Sequence, residues 1–289
     1  MQKQPLTSNN PLQNFMRQPK LYITLPSNGM YWPKGSLEVT ETGEFPVYSM
    51  TAKDELTLKV PDALLNGQGI VDVIQHCIPN IRNAWAIPNI DLDVILIAIR
   101  IATYGDQMKL PIKFGETEYD YQLDLRYVLD SLQRKITWEP AIQINPELVV
   151  YVKPFDYKTV SISATKTFET QRLIQAAASD TSMSETARAE VYNDAFKKLQ
   201  DITVGIVNNS VYRVDTSSGS TEVFEYIQEF MNNVDKEISD VIKSHIERLK
   251  ENNRVDPIRI TPTQEMIELG CKDAEIVIPL EFDPSTFFG

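Results

Sequence analysis

Residues 91 to 105 read Asp-Leu-Asp-Val-Ile-Leu-Ile-Ala-Ile-Arg-Ile-Ala-Thr-Tyr-Gly, the most apolar run in the chain, and the rest of the sequence reads as its covering. The isoleucines alone would suit a buried strand. The run outlasts the usual strand length, however, and Asp91 and Asp93 sit where a helix N-terminus favours negative charge. Gly105 then supplies a stop that needs a left-handed residue. The expectation is a buried helix. At about fifteen residues, with Arg100 inside, the run is too short and too charged to span a bilayer, so no membrane partner is expected.

Upstream, 21–25 is a short apolar segment running into Pro26-Ser27-Asn28-Gly29, a strong turn signal. Tyr31 and Trp32 follow between turn residues and are candidate partner anchors, because aromatics are enriched at interface centres; the alternative is that they cap their own core. Residues 45–50 alternate like an edge strand, and Thr51-Ala-Lys-Asp54 has capping-box spacing, with Asp in place of Glu, for a helix that starts after Thr51. After Asn66-Gly67-Gln-Gly69, Ile70, Val73, Ile74 and Cys77 fall on one helical face, so Cys77 reads as a core thiol rather than a reactive partner of His76.

Downstream, 109–114 and 117–125 alternate around Gly115-Glu116 as a hairpin, 125–132 suits a turn or two of helix, and 148–152 is a strand. The composition then turns helical. Residues 165–178 and 182–207 are helical by pattern, the second opening with Ser182-Met-Ser-Glu185 at capping-box spacing. Residues 211–220 read as a polar break. Residues 221–254 read as one long helix with acids at its start and bases toward its end. On it Ile227, Met231, Val234, Ile238, Val241 and His245 alternate by four and three, a seam that either packs inside the chain or pairs with another subunit. The last segment returns to strand-like patterning, with 266–269 and 275–282 around a Gly270–Asp273 turn. The chain ends with Phe282, Phe287 and Phe288 as candidate docking aromatics.

The fold expected from this order is α+β. A flexible N-terminal arm (1–20) precedes a mixed domain of short strands and buried helices (21–155), a helical region (156–255), and a C-terminal β-hairpin with an aromatic tail (256–289). Net charge is −12, which repels a phosphate backbone and argues against nucleic acid. The charge is uneven: the first 37 residues hold Lys3, Arg17, Lys20 and Lys34 and no acid. That arm reads as a disordered tail or as one that orders on an acidic neighbour. Nothing at the N-terminus directs secretion, so a reducing cytosol is expected.

A search for chemistry finds little. There is no Gly-Lys-Ser/Thr phosphate loop, no Gly-x-Ser-x-Gly elbow and no His-Glu-x-x-His helix, and Gly67-x-Gly69 lacks a third glycine. Carboxylate pairs such as Asp91 with Asp93 are what an acidic surface yields by chance. Cys271 resembles half of a zinc knuckle, but Ala274 occupies the place of the second cysteine, and a tetrahedral site needs four ligands. No catalytic residue, metal or cofactor is expected.

Leu25-Pro-Ser-Asn-Gly29, Met50-Thr-Ala-Lys-Asp-Glu-Leu56, Leu64-Leu-Asn-Gly67, the 91–105 run, Lys153-Pro-Phe-Asp-Tyr157, Phe168-Glu-Thr-Gln-Arg172 and the terminal Phe-Asp-Pro-Ser-Thr-Phe-Phe occur in this order along nearly the whole chain. In that order they resemble the baseplate hub and hub-assembly proteins of T4-like contractile-tailed bacteriophages. The resemblance implies a virion protein of the tail baseplate, assembled in the host cytoplasm, whose partners are other hub or wedge proteins, with self-association as a further option. It leaves two alternatives: an assembly chaperone absent from the mature particle, and a tail-associated enzyme.

Overall fold

The computed structural model describes residues 12, 15–60, 67–114, 117–134, 138–180, 182–280 and 287. The fold is α+β. Most of the N-terminal arm, the Gly115-Glu116 turn, residues 64–66 of the Leu64-Leu-Asn-Gly67 motif, and Phe282 and Phe288 lie outside the described residues.

The apolar run forms α3, Asn89–Tyr104, starting two residues earlier than the aspartates suggest and closed by Gly105 at φ 91. From Val94 to Ile99 no side chain reaches solvent, so the helix is covered on every side rather than along one stripe. Its cover comes from three directions. Strands β1 (Pro19–Ile23) and β2 (Phe45–Tyr48) pair antiparallel, with Leu21 opposite Val47 and Ile23 opposite Phe45 all turned inward, as period-two alternation requires. Helix α2 (Gln68–Cys77) presents Ile70, Val73, Ile74 and Cys77, the stripe expected from spacing. Helix α4 (Leu125–Arg134) adds Leu125, Val128, Leu129 and Leu132. Helix α1 (Ala52–Leu58) carries the expected capping box: the Thr51 hydroxyl accepts from the Asp54 amide, and the Asp54 carboxylate accepts from the Thr51 amide at 2.7 Å. The hairpin of β3 (Gln107–Phe114) and β4 (Thr117–Asp124) follows α3 in chain order, and Leu123 joins the same core.

A second core lies around a four-stranded antiparallel sheet of β5 (Ala141–Asn145), β6 (Leu148–Val152), β7 (Val211–Thr216) and β8 (Gly219–Thr221). Val150 pairs with Val214 and Val152 with Val211, so residues far apart in sequence share one buried face. This sheet joins strands from both sides of residue 155, where the sequence reading divides a mixed domain from a helical region. It also corrects the polar break expected at 211–220, which is a hairpin whose Val211 and Val214 both turn inward across a shift in register. In chain order α5 (Tyr157–Ser179) and α6 (Glu185–Ser210), the longest helices among the described residues, come between β6 and β7, which pair directly. Helix α5 starts earlier than expected because Asp156 caps it, accepting from the Thr159 amide at 2.7 Å; α6 is capped by Ser184 rather than Ser182.

The single helix expected over 221–254 is two: α7 (Phe224–Asn233) and α8 (Lys236–Asn252). Val234 is extended at φ −70 and ψ 147, and Asp235 starts the next helix. The break follows Asn232-Asn233, poor helix formers in which side chain competes with backbone. It re-phases the seam: Ile227 and Met231 are buried on α7, but on α8 the buried stripe is Ile242, Ile246 and Leu249 while Val241 is 47% exposed. The C-terminal segment differs as well. Residues 264–268 form a short helix, α9 (Gln264–Glu268), not a strand, and the small sheet pairs β9 (Ile258–Ile260) with β10 (Ile276–Ile278). Val255, Ile258, Leu280 and Phe287 return to the first core.

Candidate interaction surfaces

The turn at Ser27 folds over the start of α3 and gives Asp91 a task the sequence does not reveal. The Ser27 amide donates to Asp91 Oδ1 at 2.8 Å, the Ser27 hydroxyl to Oδ2 at 2.5 Å, and the Trp32 indole N–H to Oδ2 at 2.8 Å. Asp91 is 0% exposed. Burial drives its carboxyl above the ordinary range, and the three donors oppose that shift. Trp32 is therefore tied, half-buried, to its own core, the second of its two readings from the sequence. Tyr31, half-buried, meets Trp138 edge to face at 6.3 Å, and this contact joins the loop over the first core to the rim of the second.

A second polar knot closes the other side. His76 Nδ1 lies 2.7 Å and 2.9 Å from the two Asp54 oxygens, and Arg17 donates to the carbonyls of Ser49 and His76 at 2.8 Å and 2.7 Å. Burial raises the Asp54 carboxyl, but the hydrogen bonds from Thr51 and His76 outweigh it and the net shift is downward. Beside this knot the Cys77 thiol is buried and pushed up to about 12, chiefly by desolvation, so it stays protonated and unreactive.

The expected partner residues on the seam and the tail are mostly consumed within the chain. Ile227 and Met231 are buried in the second core and Ile238 packs against it, while Val234 closes α7. His245, expected on the same face, instead hydrogen-bonds the Glu139 carbonyl through Nε2 at 2.9 Å. Phe287 is 3% exposed: Arg100 lies 5.1 Å over its ring and donates from Nη1 to its carbonyl. An aromatic held this way docks on its own core, which corrects its reading as an interface residue. Cys271 is buried, and among the described residues no group of three or more His, Cys, Asp or Glu side chains is placed to hold a metal ion. Among the same residues no helix is long and apolar enough to cross a membrane.

The surface that sequence reasoning overlooked is the antiparallel pair α5–α6. It is rooted at one end: Tyr157 enters the first core and Val207 the second. Beyond the root only Thr170, Ala177 and Ala195 are buried. Exposed apolar side chains remain along it, including Val160, Ile162, Phe168 (47%), Leu173, Phe196 (59%) and Val204. Two grooves flank the pair. One, of about 590 Å³, mixes Ile162 and Leu173 with Lys166, Glu169, Lys198 and Asp201. The other, of about 570 Å³, is lined along the pair by Val160, Ala164, Thr167, Phe168, Thr203 and Ile206, with Lys250 at its base. The signal was present in the sequence: the apolar residues of 157–179 do not fall on one stripe, as they must in a helix that serves a single core.

No family model, no curated protein and no solved structure matches this chain.

Proposed function

We propose that this chain is a structural component of the baseplate hub of a contractile-tailed bacteriophage. It binds neighbouring hub or wedge proteins as the tail is assembled in the host cytoplasm, stays in the virion, and works by contact without making or breaking bonds. One support is the ordered series of motifs that resembles the T4-like hub and hub-assembly proteins. Several of those motifs sit at fold-defining positions. Ser27 binds Asp91, Thr51 and Asp54 cap α1, Gly67 lies under Trp85 and Tyr157, and Asp156 caps α5.

The observation that carries the reading is the α5–α6 pair, long, anchored in both cores, and lined outside them with apolar side chains that the other described residues leave exposed. Exposed apolar side chains gathered on one element, rather than scattered singly, mark interaction sites. Mass spectrometry of purified virions beside infected-cell lysate tests the proposal. Stoichiometric copies in the particle are expected. Presence in lysate with absence from virions would replace a resident subunit by a departing chaperone, and peptidoglycan turnover by the purified protein would contradict the non-catalytic role.

A further inference from the structure

The two sides of the α5–α6 pair differ in charge. One carries Lys166, Glu169, Lys198 and Asp201. On the other, the groove wall from Val160 through Ala164, Thr167 and Phe168 to Gln171 has no ionisable side chain, and neither do Thr203 and Ile206 opposite; the charges beside it are Lys250 at its base and Arg172, whose guanidinium lies 5.9 Å over the Phe168 ring. Phe196 stands two helical turns before Thr203 and so faces the same side. This face carries no acid and belongs to a chain of net charge −12 in which residues 157–210 hold six acids and six bases, so the whole excess of negative charge lies elsewhere. Two copies that met through their acidic bodies would bring like charges together. This face is where they meet without that cost.

We infer that two copies of this chain associate through the Phe168–Phe196 face of α5–α6, antiparallel, about a two-fold axis that passes between Phe168 and Phe196. The positions of these rings favour a second copy over an unrelated helix. Phe168 is the central residue of Tyr157–Ser179, and Phe196 lies close to the middle of Glu185–Ser210. A two-fold axis there sets the two rings of one copy against the same two of the other, with large aromatics at the centre of an isologous contact. The same operation lays the tip of one copy, where Asp180 and Glu185 outnumber Arg188, toward Lys250 at the base of the other copy's groove. Helices of this length give a face about 35 Å long and about 20 Å wide, on the order of 700 Å², close to the roughly 800 Å² per partner of a stable interface. The inference does not depend on the proposed function.

Sedimentation velocity of the full chain over roughly 1 to 100 µM tests it, with a dimer expected within that range. Phe168→Glu combined with Phe196→Glu should weaken association by about 100-fold or more. Its far-UV circular dichroism and urea midpoint should stay at wild-type values, since both rings are exposed. Leu173→Glu, on the charged side, should leave the dimer intact. Gln171→Cys, near the axis, should cross-link to itself under mild oxidation while Ser182→Cys, at the tip, should not; the native Cys77 and Cys271 are buried. A monomer throughout the range, a dimer that survives the double variant, equal loss in Leu173→Glu, or self-cross-linking at Ser182 would each overturn the inference. A monomer would leave the face to a different protein.

Discussion

Helices α3 and α5 are both rich in apolar residues on more than one side, and the molecule treats them in opposite ways. Around α3 every direction is filled by other elements of the same chain, and six successive side chains are sealed from water. Along α5, beyond its root against residues 84–86 and α3, the described residues supply one neighbour, α6, and Val160, Ile162, Phe168 and Leu173 stay exposed. An apolar helix without a single stripe thus marks either the centre of a core or a surface waiting for a partner. Dilution separates the two cases. Helix α3 is nearly continuous Ile, Leu, Val and Ala, whereas α5 spaces Val160, Ile162, Phe168 and Leu173 with Ser, Thr and Gln that tolerate water.

The contrast breaks if substitutions in the two helices cost the same. Ile97→Ala, at the sealed centre of α3, should lower unfolding free energy by about 3–5 kcal/mol, because the lost burial adds to an unfilled cavity; urea denaturation reads it. Asp91→Ala leaves the Ser27 and Trp32 donors buried and unpaired, and should cost about 2–4 kcal/mol in the same assay. Gly67→Ala sharpens how α5 is rooted. Gly67 has φ 75, and an added Cβ would lie 2.5 Å from Ser161 Oγ and 3.2 Å from Trp85 and the Tyr157 hydroxyl. Strain and overpacking together should cost about 1–3 kcal/mol.

The next effect depends on pH. Burial lifts the Asp93 carboxyl on α3 from 3.8 to about 6. Between those values the folded chain keeps a proton that the unfolded chain has released, so this group's contribution to stability falls as pH rises from about 4 to about 6 and stays low above that. Asp93→Asn should therefore be more stable than wild type at pH 7 by about 1–2 kcal/mol, with the gap closing below about pH 4, as followed by denaturant midpoints across pH. Smallest of all, Phe168→Ala on α5 should change folding stability by less than about 0.5 kcal/mol. A cost comparable to that of Ile97→Ala would show that α5 is covered within its own chain.

What the sequence made legible was local. The α3 run, the α2 stripe, the Thr51 box and the alternation of β3–β4 all follow from spacing within a dozen residues. The misreadings came where distant residues decide. Asp91 looked like a helix-dipole partner because its three donors lie 59 to 64 positions away. The valines of 211–216 looked like a break because their cross-strand partners are in 148–152. Heptad counting over 227–245 ran straight through Val234, since a periodic pattern carries no mark of where the backbone leaves the helix. Of the candidate surface, nothing was named in advance: Phe168 appeared only inside a motif and Phe196 not at all. Both are ordinary helix residues until the elements that could have covered them are seen to be absent among the described residues.

The root of α5–α6 has a mechanical consequence. The Asn89 amide donates to the Phe155 carbonyl at 2.7 Å and the Tyr157 amide to the Ile87 carbonyl at 2.8 Å, while the Lys153 amide donates to the Ser210 carbonyl at 2.8 Å. One leg of the arm is clamped to the entrance of α3 and the other runs straight into a strand of the sheet. A sideways push at the tip, on a lever about 35 Å long, therefore twists the two cores against each other at this clamp.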